Sequence, residues 1–424
     1  MVSEQTGRPR LEVADIVRLH GDEYRRAHHP SAPQEAVLRH IEDCRTPVLG
    51  GHLDACPDCG HERPSYNSCR DRHCPKCQAI ARNDWLDARR ERLLPVPYFH
   101  VVFTIPDDLN PLALGNKRLV FDILFAAAAE TLKTIAIDPK HLGAEPGFTA
   151  ILHTWGSNLH FHPHLHCVVT GGGLSTDGTR WAHCRPNFFL PVKVLGKLFR
   201  GKFLAALQKA RAAGKLHFGG STASLADEYA WNTFRDGLYK KAWVVYAKPP
   251  FGGPEHVFAY LGRYTHRVAI ANSRLVALDN GRITFTYKDY SRSLMVDPGS
   301  GRGWRRPSGG RAAGGMQKTM TLTAVEFLRR FLLHVLPQGF TRIRHFGLLA
   351  SSNVNSKLER ARTLLEHEGR RLPPIPKTDP DALWHERLLQ RTGIDVMACP
   401  RCGGRLVRSR SLAPVVKSSP PDTS

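Results

Sequence analysis

Three groups of residues in this chain have the types and spacing to do chemistry. His153, His160, His162, His164 and His166 crowd into positions 153–166, where an even spread of 22 histidines over 424 residues would leave about one. In an extended strand alternate side chains share a face, so His164-Leu165-His166 points two imidazoles one way and Leu165 into a core. Two such nitrogens hold one divalent cation and leave coordination positions open, as a Lewis acid requires. His162 keeps the same phase beyond Pro163, which bends the approach, and is the candidate third ligand.

Cysteines form the second group. Cys56-Pro-Asp-Cys59 and Cys74-Pro-Lys-Cys77 offer two thiolate pairs on two knuckle turns, the set that tetrahedral Zn²⁺ takes. Cys44, His52, Cys69 and His73 lie in the same window and supply either a second site or alternative ligands. Cys399-Pro-Arg-Cys402 is half of such a ribbon with no second pair after it; it either shares a metal with other residues or binds nothing. Cys167 and Cys184 read as ordinary buried thiols. The third group is Tyr260 and Tyr264, four apart on an expected helix and therefore on one face. A tyrosine hydroxyl, with a free pKa near ~10, attacks a phosphate only where a metal and cations assist, and Arg263 and Arg267 stand ready for the latter. A tyrosine pair at this spacing more often packs against a sheet; its conjunction with the histidines gives it weight.

The elements that must position these groups are legible in outline. Residues 11–43 have helical periodicity broken at Pro30 and Pro33. Tyr98 to Ile105, Phe148 to His153, Leu165 to Thr170 and Trp243 to Ala247 read as strands, residues 117–135, Lys197–Lys215, Glu255–His266 and Phe327–Leu336 as helices, and Asn280-Gly281 as the turn of a hairpin. Ser300 to Gly315, rich in glycine and arginine, reads as a loop. The division expected is a helical lead-in (1–43), a zinc-binding domain (44–94), a catalytic domain (95–350) and a tail (351–424).

Composition sets the partner. The net charge of +22 calls for a polyanion, nucleic acid by default. Lys197, Arg200 and Lys202 open a basic helical stretch that either tracks phosphates or is simply the solvated face of an amphipathic helix. No apolar run reaches the ~18–20 residues of a membrane span, and the first residues carry no secretion signal; a cytoplasmic protein with reduced thiols is expected. No GxxxxGK[ST] phosphate loop points to ATP.

HPHLH at 162–166 followed by a tyrosine pair on a later helix resembles the HUH endonucleases. With NSCRDRHCPKCQ at 67–78, PVPYFHVVFTIP at 95–106, TWGSNLHFHPHLHCVVTGGGL at 154–174, YLGRYTHRVAIAN at 260–272 and FLLHVLPQGFTRIRHFGLLA at 331–350, the chain resembles the rolling-circle, two-tyrosine transposases of insertion-sequence family ninety-one over roughly residues 35–350. The resemblance implies an α+β fold: a small zinc-binding domain, then an HUH-type domain with a central antiparallel sheet flanked by helices. It implies His164 and His166 as the pair holding Mg²⁺ or Mn²⁺, Tyr260 and Tyr264 as nucleophiles, and Cys44 to Cys77 as the zinc domain. The activity implied is nicking and rejoining of single-stranded DNA at element ends through a 5′-phosphotyrosine, in a bacterial cytoplasm at the nucleoid. Ser293 to Met316 looks inserted relative to that family, and the tail stops soon after its CxxC. The rival readings are a plasmid relaxase or replication initiator, which the zinc domain disfavours, and a zinc-dependent nucleic-acid-binding protein without catalysis.

Overall fold

The computed structural model describes residues 11–186, 189–248, 257, 262, 269–289, 316–372 and 382–416. The glycine- and arginine-rich stretch and most of the helix expected over Glu255–His266 lie outside the described residues. Two helices lead in, α1 (Val13–His28) and α2 (Ala32–Asp43); Pro30 separates them, and Ser31 opens α2 by exchanging hydrogen bonds with Gln34 in a capping box. Strands β1 (Gly51–Ala55) and β2 (Glu62–Tyr66) and helix α3 (Gln78–Arg90) carry the cysteine region. There follow β3 (Tyr98–Thr104), the short α4 (Asn110–Gly115), α5 (Lys117–Ile137), β4 (Gly147–Trp155), β5 (Phe161–Thr170), and the small pair β6 (Gly172–Leu174) and β7 (Trp181–His183). The remainder comprises α6 (Val192–Ala212), α7 (Glu228–Lys240), β8 (Val245–Lys248), β9 (Leu275–Asp279), β10 (Arg282–Asp289), β11 (Met316–Thr323), α8 (Ala324–Leu333), β12 (Ile343–Gly347), α9 (Glu359–His367), α10 (Trp384–Thr392) and β13 (Val407–Leu412).

The centre is an antiparallel sheet in the order β12-β4-β5-β3-β8, the α+β architecture anticipated. Period-two alternation gives it two unlike faces. Phe99, Val101, Phe103, Phe148, Ala150, Leu152, Leu165, Cys167 and Val169 point to one side and bury against Phe121, Leu124 and Phe125 of α5 and Phe199 and Phe203 of α6. The other side carries the histidines. Pro163 falls inside β5 instead of ahead of it, where the β4–β5 register slips between His153 and Trp155 and where β3 has already ended opposite His164. A residue without an N–H is tolerated at such a bulge because no ladder bond is asked of it.

Two further layers attach at one end. Residues of α1 and α2 (Val13, Ile16, Val17, Val37, Leu38, Ile41) share an apolar cluster with Ile283 and Phe285 of β10 and Phe327, Leu328 and Phe331 of α8. The N-terminal helices thus pack on a late part of the chain, where β9, β10 and β11 form a second sheet. Cys44, Cys74 and Leu159, at the tip of the β4–β5 hairpin, belong to the same cluster. The third sheet, β13-β1-β2, joins the cysteine region to the C-terminal segment. Among the described residues no helix is long and apolar enough to cross a membrane.

Candidate active site

His164 and His166 sit on β5 two residues apart and face the same way. Across the antiparallel pairing His153 of β4 stands opposite His164, so its ring joins theirs. Ligating atoms of all three lie within 4.8 Å of one another. His162, the third ligand expected from phase alone, is not the third member: its ring is half-exposed and its Nδ1 is 3.3 Å from Asp107. The bulge beside Pro163 accounts for this, because past it the strand no longer keeps the spacing that a continuous β5 would have. His153 lies in the histidine-rich window of the sequence, but only the register of the hairpin shows where it points.

Hydrogen bonds fix the rings. His164 Nδ1 lies 2.7 Å from the carbonyl oxygen of His162, which can only accept, so Nδ1 carries the proton. Burial, and then the nearby His162, push the His164 pKa down to about 4, leaving a neutral ring whose Nε2 offers a lone pair. That Nε2 lies 3.0 Å from His166 Nε2. An octahedral cation ~2.1 Å from two nitrogens at right angles would hold them about 3.0 Å apart, so the pair fits such an ion. His166 Nδ1 in turn meets His100 Nε2 of β3 at 2.8 Å, and burial followed by Lys248 and His164 lowers His100 to about 3. A metal-ligating histidine usually gives its second ring N–H to a carboxylate, carbonyl or water, and here the neutral imidazole of His100 stands in that position. His100 lies within the strand read from sequence but carried no signal of this role there.

The ceiling of the histidine face is apolar. Ile151, Val168 and Tyr98 from the sheet share a cluster with Val257, which is fully buried, and with Trp85 and Leu86 of α3. A Cβ on Gly262 would stand 3.0 Å from Leu86 Cδ1. Tyr260, Arg263, Tyr264 and Arg267 lie outside the described residues; Val257 and Gly262, on either side of Tyr260, are within them. Lys197, Arg200 and Lys202 are not brought to the histidines. They ride on α6, whose Leu195, Phe199, Phe203, Leu204 and Leu207 bury against the opposite face of the sheet. There Arg200 donates to the Lys241 carbonyl and Lys202 pairs with Glu130.

The cysteines assemble differently from the pairing that spacing suggested. Cys56 and Cys59 do not meet Cys74 and Cys77. One cluster is Cys44, Cys69, Cys74 and Cys77; the other is Cys56, Cys59, Cys399 and Cys402. Cys44 ends α2, Cys77 precedes α3, and the loop between β2 and α3 brings Cys69 and Cys74 between them. Hydrogen bonds from Cys69, Cys74 and Cys77 push the Cys44 thiol below its usual range while Cys69 and Cys74 are pushed up, as follows when four sulfurs share one small volume. His73 stays out of this set. Its Nδ1–H donates to Asp71 Oδ1 at 2.9 Å and its Nε2 accepts the Leu336 N–H at 3.3 Å, so both nitrogens are committed. His52 is likewise engaged, with Asp54 and Arg408.

Comparison with known proteins gives the family of the chain. Residues 147–357, which span the histidine hairpin and β12, match the family model described as "Putative transposase", and residues 16–105 match the "Transposase zinc-binding domain" model. The chain is therefore a transposase that carries a zinc-binding domain, and DNA is its partner. It is 50% identical over 392 residues, 92% of each chain, to "Putative transposase y4qJ" of Sinorhizobium fredii. It is 28% identical over 395 residues, 90% of this chain and 86% of the other, to "Transposase for insertion sequence element IS801" of Pseudomonas savastanoi pv. phaseolicola. The chain belongs to the transposases of insertion-sequence family ninety-one. No solved structure matches it.

Proposed function

We propose that this transposase nicks and rejoins single-stranded DNA at insertion-sequence ends, in rolling-circle transposition, through a 5′-phosphotyrosine. The observation that carries the reading is the convergence of His153, His164 and His166 on one face of the central sheet, with one ring nitrogen of each within 4.8 Å of the others. Val257 shares the apolar cluster of that face with Ile151, and Gly262 lies against Leu86 of α3. The three histidines would hold Mg²⁺ or Mn²⁺, whose chemistry there is to polarise the scissile phosphate.

Tyr260 or Tyr264 attacks the phosphorus. The new bond joins tyrosine Oη to phosphorus, the bond to the 3′-oxygen breaks, and that oxygen leaves with a proton as a free 3′-hydroxyl. The phosphodiester energy stays in the tyrosine ester, so a 3′-hydroxyl reverses the step and joins strands without ATP. The second tyrosine accepts the next strand while the first is occupied. Arg263 and Arg267 neutralise the phosphate during attack. Cys44, Cys69, Cys74 and Cys77 take a structural Zn²⁺ that fixes the ends of α2 and α3 beside the hairpin.

The test is incubation of the protein with labelled single-stranded element ends and Mn²⁺, followed by denaturing gels. A covalent protein–DNA adduct is expected, and it should vanish in Tyr260→Phe/Tyr264→Phe. No adduct with intact protein sinks the tyrosine mechanism and leaves a zinc-dependent DNA-binding protein; its persistence in the double variant sinks it by showing that another side chain is the nucleophile. An adduct on plasmid transfer origins but not on element ends would move the assignment to a relaxase.

A further inference from the structure

We propose that Cys56, Cys59, Cys399 and Cys402 form a second structural zinc site, built from the two ends of the chain, that clasps the C-terminal segment onto the zinc-binding domain. The proposal is independent of the DNA cleavage chemistry. Its first support is backbone geometry. Cys56-Pro-Asp-Cys59-Gly60 and Cys399-Pro-Arg-Cys402-Gly403 make the same turn twice. In each, the glycine N–H donates to the carbonyl of the first cysteine at 2.9 Å. In each, too, that first cysteine's own N–H donates to a carbonyl just past the turn, that of His61 or Gly404. Gly60 and Gly403 have φ of 68° and 78°, a left-handed conformation that glycine adopts without a Cβ penalty. Two such knuckles face each other with Cys56 Sγ 3.5 Å from Cys402 Sγ and Cys59 Sγ 3.7 Å from Cys399 Sγ.

Those separations select among the chemistries of four close sulfurs. A disulfide needs ~2.05 Å, and the four thiols are free. Tetrahedral Zn²⁺ with Zn–S bonds of ~2.3 Å sets its sulfurs about 3.8 Å apart, close to what is seen. The second support is what surrounds the cluster. Its only buried companion among the described apolar residues is Leu406, with Met397 packed alongside. The neighbouring β13 is nearly all exposed, yet it pairs antiparallel with β1 across a sequence gap of about 350 residues. Arg63 Nη2 adds a hydrogen bond to the Val396 carbonyl at 2.9 Å. A core this small does not hold a remote chain end by burial; a metal does.

Zinc content of the purified full-length chain decides the matter. Two zinc ions per chain are expected, falling to one in Cys399→Ser/Cys402→Ser and, separately, to one in Cys69→Ser/Cys74→Ser. One zinc in the unaltered protein, or two retained by Cys399→Ser/Cys402→Ser, overturns the proposal. Because the variants can misfold, the unaltered chain supplies a second readout. In zinc-loaded protein Cys56, Cys59, Cys399 and Cys402 should resist alkylation by N-ethylmaleimide and become reactive together when a chelator is added, as read by peptide mass spectrometry. Rapid labelling of Cys399 and Cys402 while zinc is bound overturns it equally.

Discussion

His164 shows how one hydrogen bond would prepare a side chain for the metal that the proposed function requires. The carbonyl of His162 claims the proton on Nδ1, burial keeps the ring neutral near neutral pH, and Nε2 is left to bind. His166 depends on a different support, since its Nδ1 is held by His100 from the neighbouring strand at 2.8 Å, with the two rings stacked. Removing such an outer partner typically costs ~10–100-fold in metal affinity while leaving the ligands in place. In His100→Leu, adduct formation should therefore need about 10–100-fold more Mn²⁺ and recover when Mn²⁺ is saturating. His164→Ala should lose cleavage at every Mn²⁺ concentration and keep its zinc. If His100→Leu behaves like His164→Ala, His100 is more than a support; if His164→Ala loses zinc, the metal assigned to this strand is wrong.

Elements carry the histidines, and two glycines show where the backbone is least forgiving. Asn280 and Gly281 turn β9 into β10 with φ of 46° and 69°, the left-handed pair of a tight hairpin, as the dipeptide suggested. A Cβ on Gly281 meets only His20 Cε1, at 3.6 Å, so Gly281→Ala should cost just the ~1–2 kcal/mol of the left-handed conformation. Gly347 ends β12 with φ of 59°, and there a Cβ would stand 1.9 Å from the Pro146 carbonyl oxygen. Gly347→Ala should add the ~1–3 kcal/mol of overpacking to the same conformational cost. Urea unfolding would show the order, and equal losses in the two variants would refute the steric account. The contrast also marks the limit of what residues alone disclose. The hairpin, the strands at Tyr98 and Leu165 and the helices at 117–135 and Lys197 were legible because each is fixed by neighbours in sequence. His153 as the third imidazole was not, because a strand's phase says which residues share a face and only register says which strands meet. The cysteine partners were hidden for a similar reason: two CxxC pairs at zinc-finger spacing satisfy the sequence pattern, while sulfurs as much as 346 positions apart satisfy the space.

At the scale of the whole molecule, the charge of +22 acquires a direction from the unlike faces of the central sheet. On the far face, the cations of α6 lie over an apolar layer, with Arg200 and Lys202 already engaged to Lys241 and Glu130. On the histidine face, Lys248 extends from β8 opposite His100, and Arg89 lies 5.3 Å over the ring of Trp85. Under the proposed function, a strand whose phosphate reaches the histidines would pass those cations and not the α6 helix. Each phosphate neutralised by such a cation contributes about 0.7 to the slope of log K against log salt for single-stranded DNA. Lys248→Ala should thus lower that slope by about 0.7 and weaken binding at low salt, whereas Lys197→Ala should leave the slope where it was. Fluorescence anisotropy of a labelled element end across a salt series measures both. The opposite result, loss of slope on the α6 side alone, would mean that DNA approaches by the far face and that the histidines meet it only after the strand has been rerouted around the sheet edge.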